Sequence, residues 1–204
     1  MDFLPTKING RDVYAGFWKR FFAGFVDLLA FMPLMFLFHF IDGISIGAAM
    51  FGAVLSGFMY CLYSISFHYK FGATLGKMAA GIKVTRPNGD NIGLQQAVLR
   101  SSIDLIFAVV TIYMQLYALS QVDPAIYLHA GLTEKGQHML QFYPSWHQTF
   151  QIMATIWVLS EFIVLLFNRR KRALHDFIAG TVVVQQTMLE RARTQQDEQM
   201  MVAI

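Results

Sequence analysis

An all-α membrane protein with four transmembrane helices is the fold this sequence predicts. Two observations predict it: the length of its apolar stretches in a chain with few charges, and the sorting of its Lys and Arg residues between loops. With 55% of its 204 residues apolar and only 14% charged, the chain lies outside the balance of soluble domains, and a membrane solvent accounts for that.

The stretches Phe21 to Phe38, Ile44 to Tyr69, Ala97 to Ser120 and Ile152 to Phe167 each approach the roughly 20 residues that cross a hydrocarbon core. The expected spans are about 21–41, 44–69, 97–120 and 152–168, within one transmembrane domain of residues 1–187 followed by a tail of 188–204. The first and last need flanking residues to cross, with tilt and snorkelling. The first is too long for the apolar region of a cleaved signal and is expected to stay as helix one.

Of the sixteen Lys and Arg residues, Lys7, Arg11, Lys19 and Arg20 precede span one. Lys70, Lys77, Lys83 and Arg86 follow span two; Arg169, Arg170, Lys171, Arg172, Arg191 and Arg193 follow span four. The intervening loops hold only Lys135. The positive-inside rule then places both termini and the 70–96 connection in the cytoplasm, with 41–45 and 121–151 external. The net charge of +3 reflects this sorting rather than a nucleic-acid partner. The partners expected are the bilayer, with anionic headgroups at Arg169 to Arg172, and a second copy or another membrane protein.

Span two carries small residues every fourth position, Ser45, Ala49, Ala53, Gly57 and Cys61, with Ala48, Gly52 and Ser56 beside them. Such stripes let helix backbones approach closely in lipid. Within 70–96, residues 72–81 read as a short interfacial helix, and Ile82 to Thr85 with the turn Arg86-Pro-Asn-Gly-Asp90 as a hairpin. The phrase returns: Leu75, Ala80, Gly81 and Val84 match Leu174, Ala179, Gly180 and Val183. Arg20 and Asp27 before Leu28 likewise echo Arg100 and Asp104 before Leu105. These matches point to a two-fold internal repeat, each half holding two spans, an interfacial helix and a short strand. The Gln-rich tail is expected as a loose helix or disordered.

Asp27 falls about 10 Å inside the first stretch at a rise of about 1.5 Å per residue, Glu161 lies at a similar depth, and Asp104 enters from the same side. An ionised group at the bilayer centre costs on the order of 3 kcal/mol, so each calls for a partner or a function. Arg20 lies seven residues before Asp27 and Arg100 four before Asp104, spacings that share a helix face. Both pairs read either as structural salt bridges or as functional groups. Glu161 needs another helix, a water-filled cavity or its own proton. Asp176, so near four cations, is expected to be ionised, and Lys77 at the repeat-equivalent position is its expected partner. The single Cys61 reads as packing, and His129, His138 and His147 as surface histidines. No nucleotide loop, nucleophile elbow or HExxH occurs, so no enzyme, cofactor or metal site is expected.

Taken together, Arg20 and Asp27, Gly72-Ala-Thr-Leu-Gly-Lys77 with Gly81-Ile-Lys-Val-Thr85, Asn88-Gly89, Arg100, and Leu174-His-Asp176 with Ala-Gly-Thr-Val-Val183 resemble the RDD family, named for one arginine and two aspartates. The resemblance runs from about Tyr14 to Gln186 and implies that Arg20, Asp27 and Asp176 are the signature residues. It further implies a bacterial plasma-membrane protein, with cation/proton antiport among the activities of the family. The long 121–151 loop departs from many members. The expected role is proton- or monovalent-cation-coupled transport, with Asp27 and Glu161 exchanging the proton or ion and Arg20 and Asp176 setting the gate. The alternative is a non-transporting scaffold docked through the small-residue stripe of span two.

Overall fold

The computed structural model describes residues 4–202; the first three residues of the expected domain and the last two of the expected tail lie outside the described residues. Along the chain run β1 (Lys7–Ile8), β2 (Arg11–Asp12), α1 (Phe17–Asp42), α2 (Ile46–Phe71), α3 (Leu75–Ala79), β3 (Ile82–Thr85) and α4 (Leu94–Arg100). They are followed by α5 (Ser102–Leu119), α6 (Pro124–His129), α7 (Leu132–Leu140), α8 (His147–Phe167), α9 (Leu174–Ile178), β4 (Val182–Gln185) and α10 (Gln186–Val202). Four segments are long and apolar enough to span: Phe17–Ile41, Ile46–Phe71, Ser102–Leu119 and His147–Phe167. Met35, Phe40, Ile152 and Phe167 stand exposed on them. Water would penalise such side chains by about 25 cal/mol per Å² of apolar surface, and lipid does not. This is an all-α membrane protein with small strand pairs.

The third span differs from expectation. Ser101 ends α4, and α5 begins only at Ser102, so Arg100 belongs to a separate short helix rather than to the span. α1 and α8 also start earlier than expected, at Phe17 and His147, which brings Arg20 inside a helix.

The chain divides into two compact units, one comprising the chain up to Leu28, Ser64–Ser101 and the chain from Val158 on, the other Leu29–Tyr63 and Ser102–Trp157. In the first unit β3 pairs antiparallel with β4, not with the segment after its turn; Thr85 and Asn91 share a lone bridge in place of the expected hairpin. The register sets Val84 opposite Val183, the two residues matched by the repeat. The strand pair is therefore centred on equivalent positions. Each strand is reached through the same device: a short helix closed by Ala80 or Ala179, then a glycine, Gly81 or Gly180, at φ +64°. That left-handed conformation carries almost no steric cost for glycine alone.

A second pair, β1 with β2, turns through Asn9 and Gly10, both at positive φ. The dipeptide Asn-Gly is a strong hairpin signal that the apolar bookkeeping passed over. β1 also corrects the reading of the tail, because Ile8 packs with Tyr14, Val182, Val184, Met188, Leu189 and Ala192. The start of α10 is thus part of a core, and the boundary expected at 187 falls inside a helix.

In the second unit Ala49, Gly52 and Cys61 of α2 are buried, while Ser56 is exposed. A Cβ on Gly57 would stand 2.5 Å from Ile112 Cγ1 of α5, and one on Gly52 would stand 2.6 Å from Asp42 Oδ1 at the end of α1. Ala49 packs with Leu119, Val122 and Tyr127. The stripe proposed as a docking face is thus covered by the chain's own helices along these positions. The 121–151 segment folds into α6, capped by Asp123 accepting the Ala125 N–H at 2.8 Å, and α7, where Glu134 accepts the Gly131 N–H at 2.9 Å.

Gly57→Ala is expected to cost about 1–3 kcal/mol by overpacking against Ile112, and Gly57→Leu more. Combining Gly57→Ala with Ile112→Val should recover part of the loss. Thermal unfolding in detergent reads the effect, and a Gly57→Leu protein as stable as the parent would refute this packing.

Candidate functional site

Asp176 lies in the first turn of α9 and is fully buried. Its Oδ2 accepts the N–H of Ala173 at 2.9 Å, closing the helix N-terminus. Two guanidinium groups reach the same carboxylate. Arg20 on α1 donates from Nη1 to Oδ2 at 2.8 Å, and Arg100 at the end of α4 donates to Oδ1 and to Thr181 Oγ1. Arg20 also donates to the carbonyls of Ala15 and Lys171. Arg172 donates to the carbonyls of Thr181, at 3.0 Å, and Asp176, at 2.9 Å, and covers the Phe177 ring. Burial alone would raise the Asp176 carboxyl; Arg100 and Arg20, helped by His175 and the Ala173 N–H, outweigh it and hold the group well below the usual carboxylate range.

Two of the expected pairs bear on this arrangement. Arg100 pairs with Asp176, and Ser101 separates α4 from α5, the helix that carries Asp104. Asp104 stands in the first turn of α5, in the other unit, where a carboxylate favours the helix N-terminus. Asp176 takes two arginines rather than Lys77. Its expected ionisation is what the surrounding cations enforce.

Asp27 meets the start of α3. Its buried carboxylate accepts the Thr74 hydroxyl at 2.7 Å and the Gly76 N–H at 2.8 Å, so α1 ties down the start of α3. Thr74 is the N-cap of that helix and accepts in turn from the Lys77 N–H. The approach is close: a Cβ on Gly76 would lie 1.9 Å from the Ala23 carbonyl oxygen. Only glycine fits there, which gives the phrase Gly72 to Lys77 its physical reason.

Lys77, one turn on, places its Nζ 2.8 Å from His68 Nε2 of α2. His68 Nδ1 lies 2.7 Å from the Ser64 carbonyl oxygen, which can only accept, so Nδ1 carries the proton and Nε2 presents a lone pair to lysine. Ser101 donates to Ser64 beside it at 3.3 Å. Burial, then the charges of Arg100 and Arg20, pull the Lys77 ammonium down to about 7, against the opposing pull of Asp27 and Asp176. Glu161 on α8 finds its partner in α9: it accepts the His175 N–H at 2.9 Å and meets His175 Nδ1. Burial and Arg100 push the imidazole of His175 down, while Asp176 and Glu161 oppose them.

The structure therefore gathers Arg20, Asp27, Lys77, Arg100, Glu161 and Asp176 in one unit. It adds His68, Ser64, Thr74, His175 and Thr181, which sequence reasoning did not single out as site residues. The signal for the first two was present: a histidine inside an apolar span with a serine four residues before it.

Apolar spanning helices joined to a buried network of acids and bases define a polytopic helical membrane protein with an ionisable interior. The profile of the RDD family matches residues 14–180, and the chain belongs to the RDD family. Comparison with curated proteins gave no match, nor did comparison with solved structures.

Asp176→Asn should be the most damaging conservative change at the site, costing about 3–5 kcal/mol, because it leaves two buried guanidinium groups facing a neutral amide. A melting temperature within a degree of the parent's would show that the two arginines do not depend on this charge.

Proposed function

We propose that the chain is a transporter coupled to protons or monovalent cations, in which the coupling proton is held between Lys77 and His68. The observation that carries this reading is the 2.8 Å contact between the two nitrogens. Two bases at that distance do not both carry a charge, so together they hold at most one positive charge. Gain or loss of that charge alters the balance with Asp27 and Arg20 on α1, Arg100 on α4 and Asp176 on α9. Asp27, held by the Thr74 hydroxyl and the Gly76 N–H, is the countercharge for this proton rather than a carrier that leaves its place. Glu161 with His175 forms a second couple that exchanges a proton internally. Arg20 and Asp176, expected as a gate, serve in this reading as the fixed joint between α1 and α9.

The reading sets the protein in a bacterial plasma membrane with both termini cytoplasmic, in keeping with the placing of its Lys and Arg residues. Anionic headgroups lie against Arg169 to Arg172, and no enzymatic step or cofactor enters. Four spans enclose little volume, so a homo-oligomer is part of the proposal.

The test is proton flux in proteoliposomes against a panel of monovalent cations. The parent is expected to move protons when a cation gradient is applied, and Lys77→Met and His68→Gln to reduce the rate at least ten-fold while remaining folded. A silent parent, or a Lys77→Met protein with full flux, refutes the proposal. Stability gives a second readout. Between about 7 and the ordinary range of lysine the unfolded chain binds a proton at Lys77 that the folded chain does not, so stability should rise with pH across that window. Lys77→Met should flatten this rise.

Orientation is tested separately. Reporter tags at both termini and at Asn88 should read cytoplasmic and a tag near Gly136 external, and an external C-terminus would overturn the four-span arrangement.

A further inference from the structure

The second unit contains a cavity of about 270 Å³ that the proton reading does not use, lined by side chains of α1, α2, α5, α6 and α7 together with Tyr143. Two charged side chains of opposite sign, Asp42 and Lys135, stand in its wall. Asp42, at the end of α1, has its Oδ1 buried and without a hydrogen-bond partner. Gly52 makes the room for that oxygen. Lys135 of α7 is 6% exposed, and its ammonium lies 5.0 Å above the Tyr127 ring. Asp42 and Lys135 form no ion pair with one another within 4.0 Å among the described residues. Ser56 and Gln115 add neutral hydrogen-bonding groups to the wall. Burial pushes the Asp42 carboxyl up, with Lys135 and His39 pulling it down.

Asp42 and Lys135 thus stand at one cavity as opposite charges, neither neutralised by a direct ion pair among the described residues. A lone cation on Asp42 would leave Lys135 facing a second positive charge. A lone anion on Lys135 would leave Asp42 as it is. A net-neutral molecule with one group of each sign gives both Asp42 and Lys135 a counter-charge, and the volume suits a ligand of few heavy atoms, since a liquid water occupies about 30 Å³. We propose that this cavity binds a small zwitterion with a primary ammonium, the ammonium on Asp42 and the anionic group on Lys135. Tyr127 supplies an aromatic wall beneath the lysine. Two sources carry that chemistry, a free α-amino acid and the phosphoethanolamine headgroup of a lipid.

The site belongs to a part of the chain in which the structure departs most from a simple loop. α6 and α7 are built from the 121–151 segment, and they supply Tyr127, Lys135 and Gly136. Gly136 offers an independent handle, because it lines the cavity and a Cβ added there meets nothing within 4 Å.

The experiment uses the full chain in nanodiscs of phosphatidylcholine and phosphatidylglycerol, with calorimetry and melting temperature as readouts. The probes are glycine, alanine and soluble phosphoethanolamine, with methylamine and acetate as single-charge controls. A parallel set of discs contains phosphatidylethanolamine. The expected result is binding and a raised melting temperature with a zwitterion but not with either control, and at least ten-fold weaker binding in Asp42→Asn and in Lys135→Met. Gly136→Phe should lose binding while melting like the unliganded parent, which keeps the test decisive if a charge variant fails to fold. Stabilisation by phosphatidylethanolamine discs alone, lost in the same variants, supports the site and names the lipid as its ligand. The proposal is overturned if no zwitterion or phosphatidylethanolamine acts on the parent, if methylamine or acetate binds equally well, or if Gly136→Phe binds like the parent.

Discussion

One carboxylate held between two guanidinium groups is the constraint on which the first unit rests. Asp176 receives Arg20 from α1 and Arg100 from α4, so three segments far apart in the sequence meet at a single buried charge. The charges on these groups do not cancel, since two arginines surround one aspartate. The surplus is felt nearby: Arg100 depresses both Lys77 and His175, and Asp27 and Glu161 stand where they offset it. A buried pair of this kind contributes little net stability against an apolar replacement, yet it penalises every arrangement in which one partner is missing. Its role is thus to select one arrangement of helix ends over others.

The break at Ser101 is what makes the joint geometrically available. Were α4 and α5 one continuous helix, Arg100 would follow the axis of the span and meet its neighbours on that helix. Ending α4 at Ser101 frees its last side chain to reach Thr181 and Asp176. The same economy governs Gly76, where the absence of a side chain lets the start of α3 come within bonding range of Asp27. The charged groups occupy their places because the backbone between them is short, broken and in places bare.

The spans were legible because lipid demands long apolar segments whatever their partners, and Phe17–Ile41 or His147–Phe167 satisfy that demand on their own. The signature residues Arg20, Asp27 and Asp176 were legible as a set. Their contacts were not, since helix spacing describes only neighbours on one helix. Seven residues between Arg20 and Asp27 say nothing about α9 or α3, to which these side chains turn. The hairpin expected after β3 failed for a similar reason: the turn at 86–90 forms, as the Arg86 to Asp90 bond shows, but β4 competes for the strand and wins it. In the tail, Met188, Leu189 and Ala192 make too short an apolar face to stand out among the Gln residues, and only its packing on Ile8 and Val184 reveals it. For His68 the serine one turn before it was legible, but the lysine that gives it meaning lies beyond the end of its helix.

The lateness of Asp176 in the chain has a consequence for biosynthesis. As the polypeptide leaves the ribosome, Arg20 and Arg100 are made long before the carboxylate that receives them, and all four spanning segments precede it. Insertion must therefore proceed with two unneutralised arginines at the helix ends, which keeps those ends at the headgroup region and opposes slippage of α1 and α4 into the bilayer. The arrival of α9 and β4 then closes the joint, and the antiparallel pairing of Val84 with Val183 can form only at that moment. A nascent chain truncated before residue 176 would hold its helices in lipid yet lack the charge that draws their ends together.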